Sequence, residues 1–527
     1  MARLLLRKLT KLARLTQDVR RFLRTPVDVE QAVRIVERRL TTREERFLQI
    51  VERAIYGHPR SPYLQLLQIA GCEFGDLRAL MTKEGLEGSL SRLVQAGVFV
   101  TFDEFKGRKE VIRGSQRFAF AEQDFDNPHL LPHFEAQSGG TRGPGTSVKT
   151  AFPFMADQAV NTALALLVHG LSGYDHVIWN QGLAPVLLYA KVGRAPIAWF
   201  YPLRPLPLKV QAVSRYLAIQ GRLMGRPLPM PAFLDLRDPG RMTKWLAGRL
   251  RSGKAVCVTA FASSAVRVAA AAKEAQIPLD GVCFITLGEP FTEAKQRIIE
   301  AAGAGALVRY AFTEAGIIGY GCGVPRASDD IHLFSDGYGL IQRSRGVGDG
   351  ALTVDAFLFT SLFPSAPKIL LNVESGDYGI VERRNCDCGF EALGLQDHIS
   401  QIRSFEKLSG EGMTFVQTDL LRVVEEVLPA HFGGSSADYQ VLEEEGQDGI
   451  LRLLLIVSPS IGRVDEESIR QTFLGELRRG GGPSRFGAEI WRRAGTVKVR
   501  RQWPIATRAG KILPFHLLKG SLPPSAG

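Results

Sequence analysis

The chain has 527 residues, an apolar fraction of 45%, a charged fraction of 23% and a formal net charge of +12. Its length exceeds what one hydrophobic core usually supports, and the lack of repeats and low-complexity tracts excludes fibrous, repeat and largely disordered proteins. No uninterrupted apolar stretch reaches the roughly 20 residues of a membrane-spanning helix, so we expect a cytoplasmic protein with no integral membrane segment.

The first segment, residues 1–24, sets leucines among arginines and lysines at near-helical spacing. Arg7, Lys8 and Lys11 interrupt its apolar run, which excludes a signal-peptide core. A second basic run spans residues 478–503. We interpret both runs as solvated surface rather than as a membrane or nucleic-acid contact, and we expect no nucleic-acid partner.

Residues 27–98 carry apolar side chains at three- and four-residue intervals, which predicts helices, and FVTFDEFKG at 99–107 then predicts extended chain. Over residues 160–309, helical stretches alternate with short β-rich runs. These runs are HVIWN, APIAWFY, AVCVTAF and GVCFITLG. Such alternation predicts βαβ units, and therefore an α/β fold with mainly parallel sheets and helices.

The pattern changes after Asp397, where the strand LRLLLIVSP and the charged amphipathic helix VDEESIRQTFLGELRRG predict a small, mobile α+β domain. We therefore divide the chain into three parts. They are a helical N-terminal part of the large domain at 1–120, the core of that domain at 121–396, and a C-terminal lid domain at 397–527.

The segment QSGGTRGPGTSVKT at 137–150 combines glycines, hydroxyls and cations, which are the groups that cradle a phosphate. Residues 143–150 nearly match the P-loop pattern G-x-x-x-x-G-K-[ST], but Val148 replaces the second glycine. Because that glycine lets backbone amides wrap the β-phosphate, we do not expect a P-loop nucleotide site.

Four further segments follow this loop along the chain: LGEP at 287–290, RYAFTEAG at 309–316, ESGDYG at 374–379 and TRAGKIL at 507–513. Together with SGGTRGPGT, in this order and spacing, they resemble the adenylate-forming superfamily of acyl-CoA synthetases. Within that superfamily they resemble the phenylacetate-CoA ligase-like branch. The N-terminal 120 residues match nothing that we can assign.

The resemblance implies an AMP-forming acid–thiol ligase. Such an enzyme uses ATP and Mg²⁺ to convert a small carboxylic acid into an acyl-adenylate, releases pyrophosphate, and then passes the acyl group to coenzyme A. Aromatic acids are favoured in this branch. Since the reaction brings a carboxylate and the α-phosphate together, cations and hydrogen-bond donors must offset their charge.

The resemblance also implies roles for individual residues. Thr313 would donate to phosphate, Glu314 would bind Mg²⁺, and Lys511 on the mobile lid would bridge the carboxylate and the α-phosphate. Asp377 would accept the ribose hydroxyls. The nucleotide would further contact Tyr310 and the adenine-side residues Gly288, Glu289 and Pro290. The loop that would hold the β- and γ-phosphates comprises Ser138, Gly139, Gly140, Thr141, Arg142, Gly143 and Thr146.

Two positions depart from the family pattern. Arg142 stands where a small hydroxyl residue is usual, and it could add a phosphate contact or obstruct one. The hinge motif Gly-Arg-x-Asp reads Gly394, Leu395, Gln396, Asp397, so the arginine that helps to bind ribose is missing. A degenerate nucleotide-binding interaction protein is therefore an alternative.

The acyl acceptor leaves a further alternative, transfer to the thiol of a carrier or target protein, as in acyl-protein synthetases of the same superfamily. No cysteine follows Cys388, so the lid itself cannot supply an acyl-accepting thiol. The sequence does not specify the acid or the oligomeric state, for which a homodimer is the general expectation.

A metal site is one interpretation of four residues near these motifs. Cys386 and Cys388 lie in NCDCG, and Cys322 and His332 lie in GYGCGVPRASDDIHLF. Three thiolates and one imidazole form a tetrahedral set for structural Zn²⁺, and the resembled branch carries similar residues. The other interpretation is that these cysteines are buried core residues.

Overall fold

The computed structural model describes residues 2–137, 147–202, 204–236, 238–347, 352–404, 409–410, 413–414, 417–445, 451–479, 488, 491–492, 497–507 and 510–518. The predicted phosphate loop, Ser138 to Thr146, lies outside the described residues.

Helices make up most of the first hundred residues and alternate with strands afterwards. They are α1 (Ala2–Arg24), α2 (Val29–Thr41), α3 (Arg43–Val51), α4 (Pro62–Ile69), α5 (Phe74–Gln95), α6 (Phe102–Phe105), α7 (Phe152–Val168), α8 (Leu183–Lys191), α9 (Leu208–Leu223), α10 (Pro239–Arg251), α11 (Ala262–Glu274), α12 (Glu293–Glu300), α13 (Gln417–Arg422), α14 (Leu428–Phe432) and α15 (Glu466–Arg479). A π-helical turn, Val423–Val427, joins α13 to α14.

The strands begin at residue 111. They are β1 (Val111–Arg113), β2 (Gln116–Phe118), β3 (Phe134–Gln137), β4 (Ser147–Thr150), β5 (Asp175–Trp179), β6 (Ala198–Tyr201), β7 (Pro231–Phe233), β8 (Val256–Phe261), β9 (Val282–Leu287), β10 (Gly305–Phe312), β11 (Gly316–Gly321), β12 (Ile331–Leu333), β13 (Tyr338–Val347), β14 (Leu352–Ser361), β15 (Val373–Arg383), β16 (Asp397–Ser404), β17 (Ser409–Gly410), β18 (Met413–Thr414), β19 (Tyr439–Glu445), β20 (Leu451–Val457), β21 (Val497–Arg501) and β22 (Phe515–Leu518).

One 12-stranded sheet organises the chain, in the order β13-β14-β15-β16-β12-β11-β10-β9-β8-β5-β6-β7. The run from β10 to β7 is parallel, which confirms the α/β class predicted for residues 160–309. Every residue of β8 is buried, as expected for a strand covered by helices on both faces.

Beyond β10 the same sheet continues with antiparallel strands. The reason is local, because β10 ends at Phe312 and β11 begins at Gly316. A parallel crossover needs about a dozen residues or more, so this short link can only turn the chain back. The sheet is therefore parallel where helices intervene and antiparallel where they do not.

The N-terminal helices belong to the core of this large sheet rather than to a separate unit. Side chains of α2, α3, α4 and α5 are part of the same continuous hydrophobic cluster as the parallel strands. A buried ion pair reinforces this packing, since Arg39 Nη1 lies 3.4 Å from Asp336 Oδ2.

Residues 102–105 form a short helix where the sequence analysis expected extended chain. The Thr101 hydroxyl accepts the Glu104 N–H, and the Glu104 carboxylate accepts the Thr101 N–H, which is a capping box. The N–H of Phe102 also donates to Glu374 Oε2 on β15, at 3.2 Å. This short helix therefore directs the following residue, Lys106, toward the large sheet.

The C-terminal part forms a second sheet of four strands, in the order β21-β20-β19-β22, with a hydrophobic cluster of its own. Strand β16, residues 397–404, does not belong to it. Instead it pairs with β15 and β12 in the large sheet. The predicted lid boundary at 396/397 thus precedes a strand of the large sheet. No described helix has the length and apolar character needed to cross a membrane.

Candidate active site

A cavity of about 580 Å³ lies where β9 and β10 end, and it is lined from several parts of the chain. Ligands of open α/β sheets collect at the carboxyl ends of parallel strands, because loops diverge there. The predicted site residues that line this cavity are Gly288, Glu289, Pro290, Tyr310, Thr313, Glu314, Asp377 and Lys511. The structure therefore gathers every predicted nucleotide-site residue that it describes.

The predicted phosphate residues themselves, Ser138, Gly139, Gly140, Thr141, Arg142, Gly143 and Thr146, lie outside the described residues. The strands on either side of them are described. Strands β3 and β4 pair with each other, with Gln137 opposite Ser147. Phe134 and Thr150, at the far end of this pair, line the cavity.

Tyr310 and Asp377 meet across the cavity from different strands. The Tyr310 hydroxyl donates to Asp377 Oδ2 at 2.7 Å. Burial, followed by the nearby Asp377 charge, raises the pKa of Tyr310 well above its usual value, so the hydroxyl keeps its proton. An Asp377 carboxylate has acceptor capacity left for further hydroxyl donors, which is what a ribose would offer.

Glu314 forms an ion pair that the sequence analysis missed. The Lys106 ammonium binds Glu314 Oε1 directly and lies 3.4 Å from Glu122 Oε2. The Lys106 and Glu314 side chains are only 9% and 13% exposed. Two aromatic rings, Phe102 and Phe105, lie 5.5 and 5.4 Å from the Lys106 Nζ, which favours a cation at this position.

This pair bears on the magnesium prediction. A carboxylate is the kind of ligand that Mg²⁺ prefers, usually with substrate phosphates and water completing its shell. In the structure, however, one Glu314 oxygen binds the Lys106 ammonium. A Mg²⁺ ion at Glu314 would therefore use the other oxygen or replace Lys106.

Lys511 reaches the cavity from the C-terminal part by lying across the Gly288–Pro290 turn. Gly288 has φ of 75°, and a Cβ added there would lie 2.8 Å from Lys511 Cε and 3.0 Å from its Nζ. The turn thus requires glycine both for its backbone conformation and for the passage of the lysine. The Thr507 hydroxyl accepts the Lys511 N–H at 3.2 Å and fixes the base of this side chain.

The carboxylate of Glu289 is bound by hydrogen-bond donors of the protein itself. It accepts the Ser263 N–H at 2.7 Å, the Ser263 hydroxyl at 2.8 Å and the Ile512 N–H at 2.9 Å. Glu289 therefore caps the N-terminus of α11 and also holds the residue next to Lys511. Burial raises the pKa of Glu289 above its usual value.

A buried ion pair connects the same turn region to the C-terminal part a second time. Lys295 Nζ, on α12, lies 2.8 Å from Glu425 Oε1, and both side chains are almost fully buried. The Thr292 hydroxyl donates to the same carboxylate. Residues 289–295 thus contact the C-terminal part at two places, at Ile512 and at Glu425. Both contacts hold the C-terminal part where Lys511 enters the cavity.

Arg403 also lines the cavity and was not predicted. It lies on β16 opposite Tyr378, next in the chain to Asp377. Asp329 orients it through a hydrogen bond from Arg403 Nη1 to Asp329 Oδ2 at 2.9 Å. The family position for an arginine near the ribose is Leu395 in this chain, whereas Arg403 is an arginine that lines the same cavity as Asp377.

The four predicted zinc ligands meet at one point next to β12. His332 Nε2 lies 3.1 Å from Cys388 Sγ, 3.2 Å from Cys322 Sγ and 3.5 Å from Cys386 Sγ. The other ring nitrogen, Nδ1, lies 2.7 Å from the Leu395 carbonyl oxygen. Because a carbonyl only accepts, Nδ1 carries the proton, and a neutral His332 ring directs a lone pair from Nε2 toward the sulfurs.

The thiols of this cluster interact with one another: hydrogen bonding from Cys322 lowers the pKa of Cys388, and hydrogen bonding to Cys388 raises the pKa of Cys322. His398, which the sequence analysis missed, adds a second imidazole whose buried Nε2 has no hydrogen-bond partner among the described residues. Ligand atoms of Cys322, His332, Cys386 and His398 all lie within 4.8 Å of one another.

No protein-family model and no curated protein matches the chain. Among solved structures, the chain is similar to 2-hydroxyisobutyryl-CoA ligase in complex with 2-HIB-AMP and CoA. That similarity has 15% identity, covers 90% of this chain and 89% of that chain, and has a TM-score of 0.45.

Two further similar structures are ATP-bound MatB from Rhodopseudomonas palustris and O-succinylbenzoate coenzyme A synthetase from Bacillus subtilis with ATP and a magnesium ion. The similarity to MatB has 12% identity, covers 75% of this chain and 68% of MatB, and has a TM-score of 0.43. The synthetase has 12% identity, 72% and 69% coverage, and a TM-score of 0.42. The cavity geometry, rather than these likenesses, carries the functional assignment.

Proposed function

We propose that this chain is a member of the adenylate-forming superfamily that activates a carboxylic acid with ATP, as an acyl-adenylate, with release of pyrophosphate. The observation that carries the proposal is the meeting of separate motifs in one cavity. Thr313 and Glu314 follow β10, Asp377 comes from β15, and Lys511 comes from the C-terminal part. Ordinary turn or surface positions would have no reason to converge in this way.

Each side chain has a role that its chemistry supports. The paired Tyr310 and Asp377 bind the ribose hydroxyls, and Arg403 lines the same cavity. Lys511 neutralises the acid carboxylate and the α-phosphate oxygens as they approach, and Thr313 donates a hydrogen bond to the phosphate. The Glu289 carboxylate accepts hydrogen bonds from Ser263 and Ile512. We therefore assign the adenine contact to the backbone of the Gly288–Pro290 turn rather than to this carboxylate.

Glu314 is the residue that would hold Mg²⁺, which when bound neutralises phosphate charge. Lys106 holds that carboxylate in place in the structure. A bound Mg²⁺ ion would therefore use the second Glu314 oxygen or take the place of Lys106, which orients the carboxylate in the structure.

The acyl group has a largely apolar place to bind. Aromatic and aliphatic side chains line the cavity near α7 and α8, including Phe154, Leu188, Phe291 and Phe312. Such a lining suits an acid with an aromatic or other apolar body. The acyl-adenylate then reacts with a thiol, for which coenzyme A is the proposed acceptor and a carrier-protein thiol is the second candidate.

Carboxylate-dependent ATP–pyrophosphate exchange tests the adenylation step. The purified chain would be incubated with ATP, MgCl₂, labelled pyrophosphate and a panel of acids, with an acid-free reaction as control. We expect exchange that depends on at least one acid. If folded protein shows no exchange with any acid, while ATP still binds, the chain is the degenerate nucleotide-binding protein instead.

Adding coenzyme A or a phosphopantetheinylated carrier protein to an acid that supports exchange tests the acceptor. Formation of acyl-CoA, read by mass spectrometry, supports the proposed acceptor. If only the carrier protein is acylated, its thiol is the acceptor in place of coenzyme A.

We also propose that Cys322, His332, Cys386 and Cys388 bind a structural Zn²⁺ ion. Four protein ligands would leave the ion no open position for substrate, so the ion stabilises the contact between the β11–β12 connection and the β15–β16 connection. Metal analysis of protein purified without chelator should give one zinc per chain. The double variant Cys386→Ser/Cys388→Ser should lose zinc and unfold at lower temperature, whereas Cys283→Ser should keep it; metal-free wild-type protein that is not stabilised by added zinc would contradict this site.

A further inference from the structure

Helix α9 carries an exposed apolar stripe, and none of its residues lines the cavity. Leu208, Ile219 and Leu223 are 82%, 59% and 61% exposed, and Ala212 is exposed as well. In a helix of 3.6 residues per turn these four positions lie within about 60° of one another, so they share one face. A surface helix normally presents polar side chains to water on that face, and an exposed apolar stripe indicates a partner.

The other faces of α9 are already covered by the protein. Its inward side, which includes Leu217, is buried. Helix α1 lies alongside and contacts α9 at three successive turns. The contacts are a hydrogen bond from the Tyr216 hydroxyl to the Thr16 hydroxyl at 2.8 Å, one from Arg20 Nε to Gln220 Oε1 at 2.8 Å, and an approach of Arg24 Nε to Met224 Sδ at 3.1 Å. The two helices therefore run parallel in one layer, and the stripe lies on the outer side of that layer.

Positive charge accompanies the stripe. Arg215 and Arg222 are exposed and lie on the same face of α9 as the aliphatic side chains. Residues 192–234, which include α9, contain six lysines and arginines and no aspartate or glutamate. The exposed Arg24 of α1 borders the end of the stripe through its contact with Met224. The face therefore combines apolar contact area with cations.

This combination distinguishes between possible partners. A second copy of the chain, related by a two-fold axis, would bring the arginines of both copies together, and like charges across an interface oppose association. A groove on another protein usually encloses an amphipathic helix, but α1 beside α9 leaves only the outer face accessible. A flat, negatively charged surface with an apolar layer beneath it fits the stripe, and an anionic bilayer is such a surface.

We propose that α9, together with the last turn of α1, binds the surface of anionic phospholipid bilayers. The aliphatic side chains of the stripe enter the boundary between headgroups and acyl chains. Arg215 and Arg222 lay their apolar stems along this boundary and direct their guanidinium groups to lipid phosphates. The contact does not rest on the proposed adenylation, because that reaction uses the cavity.

Sedimentation of the full chain with lipid vesicles tests this contact. Vesicles of phosphatidylcholine and phosphatidylglycerol in equal parts would be compared with vesicles of phosphatidylcholine alone, at low and high NaCl concentration. Since the cations near the surface each favour an anionic bilayer, we expect the partition coefficient to be about 10- to 30-fold higher for the anionic vesicles at low salt. The difference should shrink at high salt, because salt screens the attraction.

Two double variants separate the charges from the apolar stripe. Arg215→Gln/Arg222→Gln should lower the partition coefficient on anionic vesicles by about 10- to 30-fold and remove most of its salt dependence. Ile219→Ser/Leu223→Ser should lower it by about 10-fold or more at either salt concentration, because less apolar area enters the bilayer. Both variants change exposed side chains, so their unfolding temperatures and their ATP–pyrophosphate exchange without vesicles should match those of the wild type.

The matched control is Ile112→Ser/Arg117→Gln, which removes an exposed aliphatic side chain and an exposed cation from the β1–β2 hairpin. It should bind anionic vesicles as the wild type does. An equally large loss in this control would show that binding follows overall charge and would overturn the assignment to α9.

Equal binding to neutral and anionic vesicles, or binding to neither, would also overturn the proposal. Analytical ultracentrifugation without lipid identifies the competing occupant: self-association of the wild type that is lost in Ile219→Ser/Leu223→Ser, together with no vesicle binding, would assign the face to a second copy of the chain. Loss of vesicle binding in the α9 variants leaves ATP–pyrophosphate exchange intact, and absent exchange leaves vesicle binding intact, so this proposal and the proposed function fail independently.

Discussion

The two sides of the cavity differ in the charged groups that line them. On the carboxylate side, defined by Glu314 and Asp377, each acid already has a protein partner, Lys106 or Tyr310. The apolar side is lined by hydrophobic side chains, among them Phe154, Leu188 and Phe312. A paired charged group is oriented before any ligand arrives, whereas an apolar wall selects a ligand by its shape and hydrophobicity. Substitutions on the first side should therefore slow the reaction of every acid alike, and those on the second should change which acid is used.

The largest effect should come from Lys511→Ala. Its ammonium is the cation that neutralises the two reacting anions, so adenylation should fall by roughly 10²- to 10³-fold or more and by the same factor for every acid. Exchange kinetics measure this, and calorimetry should show ATP binding largely retained. Lys498→Ala is the matched control, because Lys498 is an exposed lysine of the same C-terminal sheet. If adenylation were lost with only some acids, Lys511 would act in substrate selection, and the two sides of the cavity would not differ in the way described.

Asp377→Ala should have the next largest effect. Without this acceptor for the ribose hydroxyls, the KM for ATP should rise by about 10- to 100-fold, while the KM for the acid and the order of preference among acids stay unchanged. Steady-state exchange at varied ATP and acid concentrations separates the two constants. Asp355→Ala, on the exposed side of β14, controls for the loss of a surface aspartate. A changed acid preference would mean that Asp377 faces the acid.

Lys106→Met should destabilise the fold by about 1–3 kcal/mol, because it leaves the mostly buried Glu314 carboxylate without its partner. Urea unfolding measures this change in the free energy of unfolding. The double variant Lys106→Met/Glu314→Gln should recover part of the loss, and Lys109→Met, whose side chain is 70% exposed, should cause little. If neither Lys106→Met nor the double variant changed the free energy of unfolding, the ion pair would not stabilise the carboxylate side of the cavity.

The smallest effect should come from Tyr310→Phe, which removes one hydrogen bond to Asp377 and keeps the ring. A single hydrogen bond from a neutral donor to a charged acceptor is worth about 1–2 kcal/mol here, so the KM for ATP should rise about 5- to 30-fold with no change in the order of preference among acids. Combining Tyr310→Phe with Asp377→Ala should add nothing further, since the two residues act through one contact. Additive losses would show separate roles.

The sequence predicted the parallel half of the sheet well, because strands such as AVCVTAF are continuous apolar runs bounded by amphipathic helices. It also predicted which nucleotide-site motifs meet, although it did not reveal the hydrogen bonds from Ser263 and Ile512 to the Glu289 carboxylate. The antiparallel continuation beyond β10 was not predicted. Its signal was the short link from Phe312 to Gly316, which leaves no room for a crossover.

The missed residues have two physical origins. Lys106 was missed because TFDE at 101–104 was read as extended chain, although Thr and Glu three residues apart form a capping-box pattern. Arg403 and His398 were missed because their positions arise from strand register, which brings residues far apart in sequence together.

The most direct test of the central claim is to detect the acyl-adenylate itself. Wild-type protein in excess over ATP labelled at the α-phosphate would be mixed with MgCl₂ and an acid that supports ATP–pyrophosphate exchange, without any thiol, and the products would be separated after a single turnover. The account predicts label in an acyl-AMP of the expected mass, formed together with pyrophosphate and absent with Lys511→Ala. Label recovered only in ATP, or in ADP with release of inorganic phosphate, would contradict it.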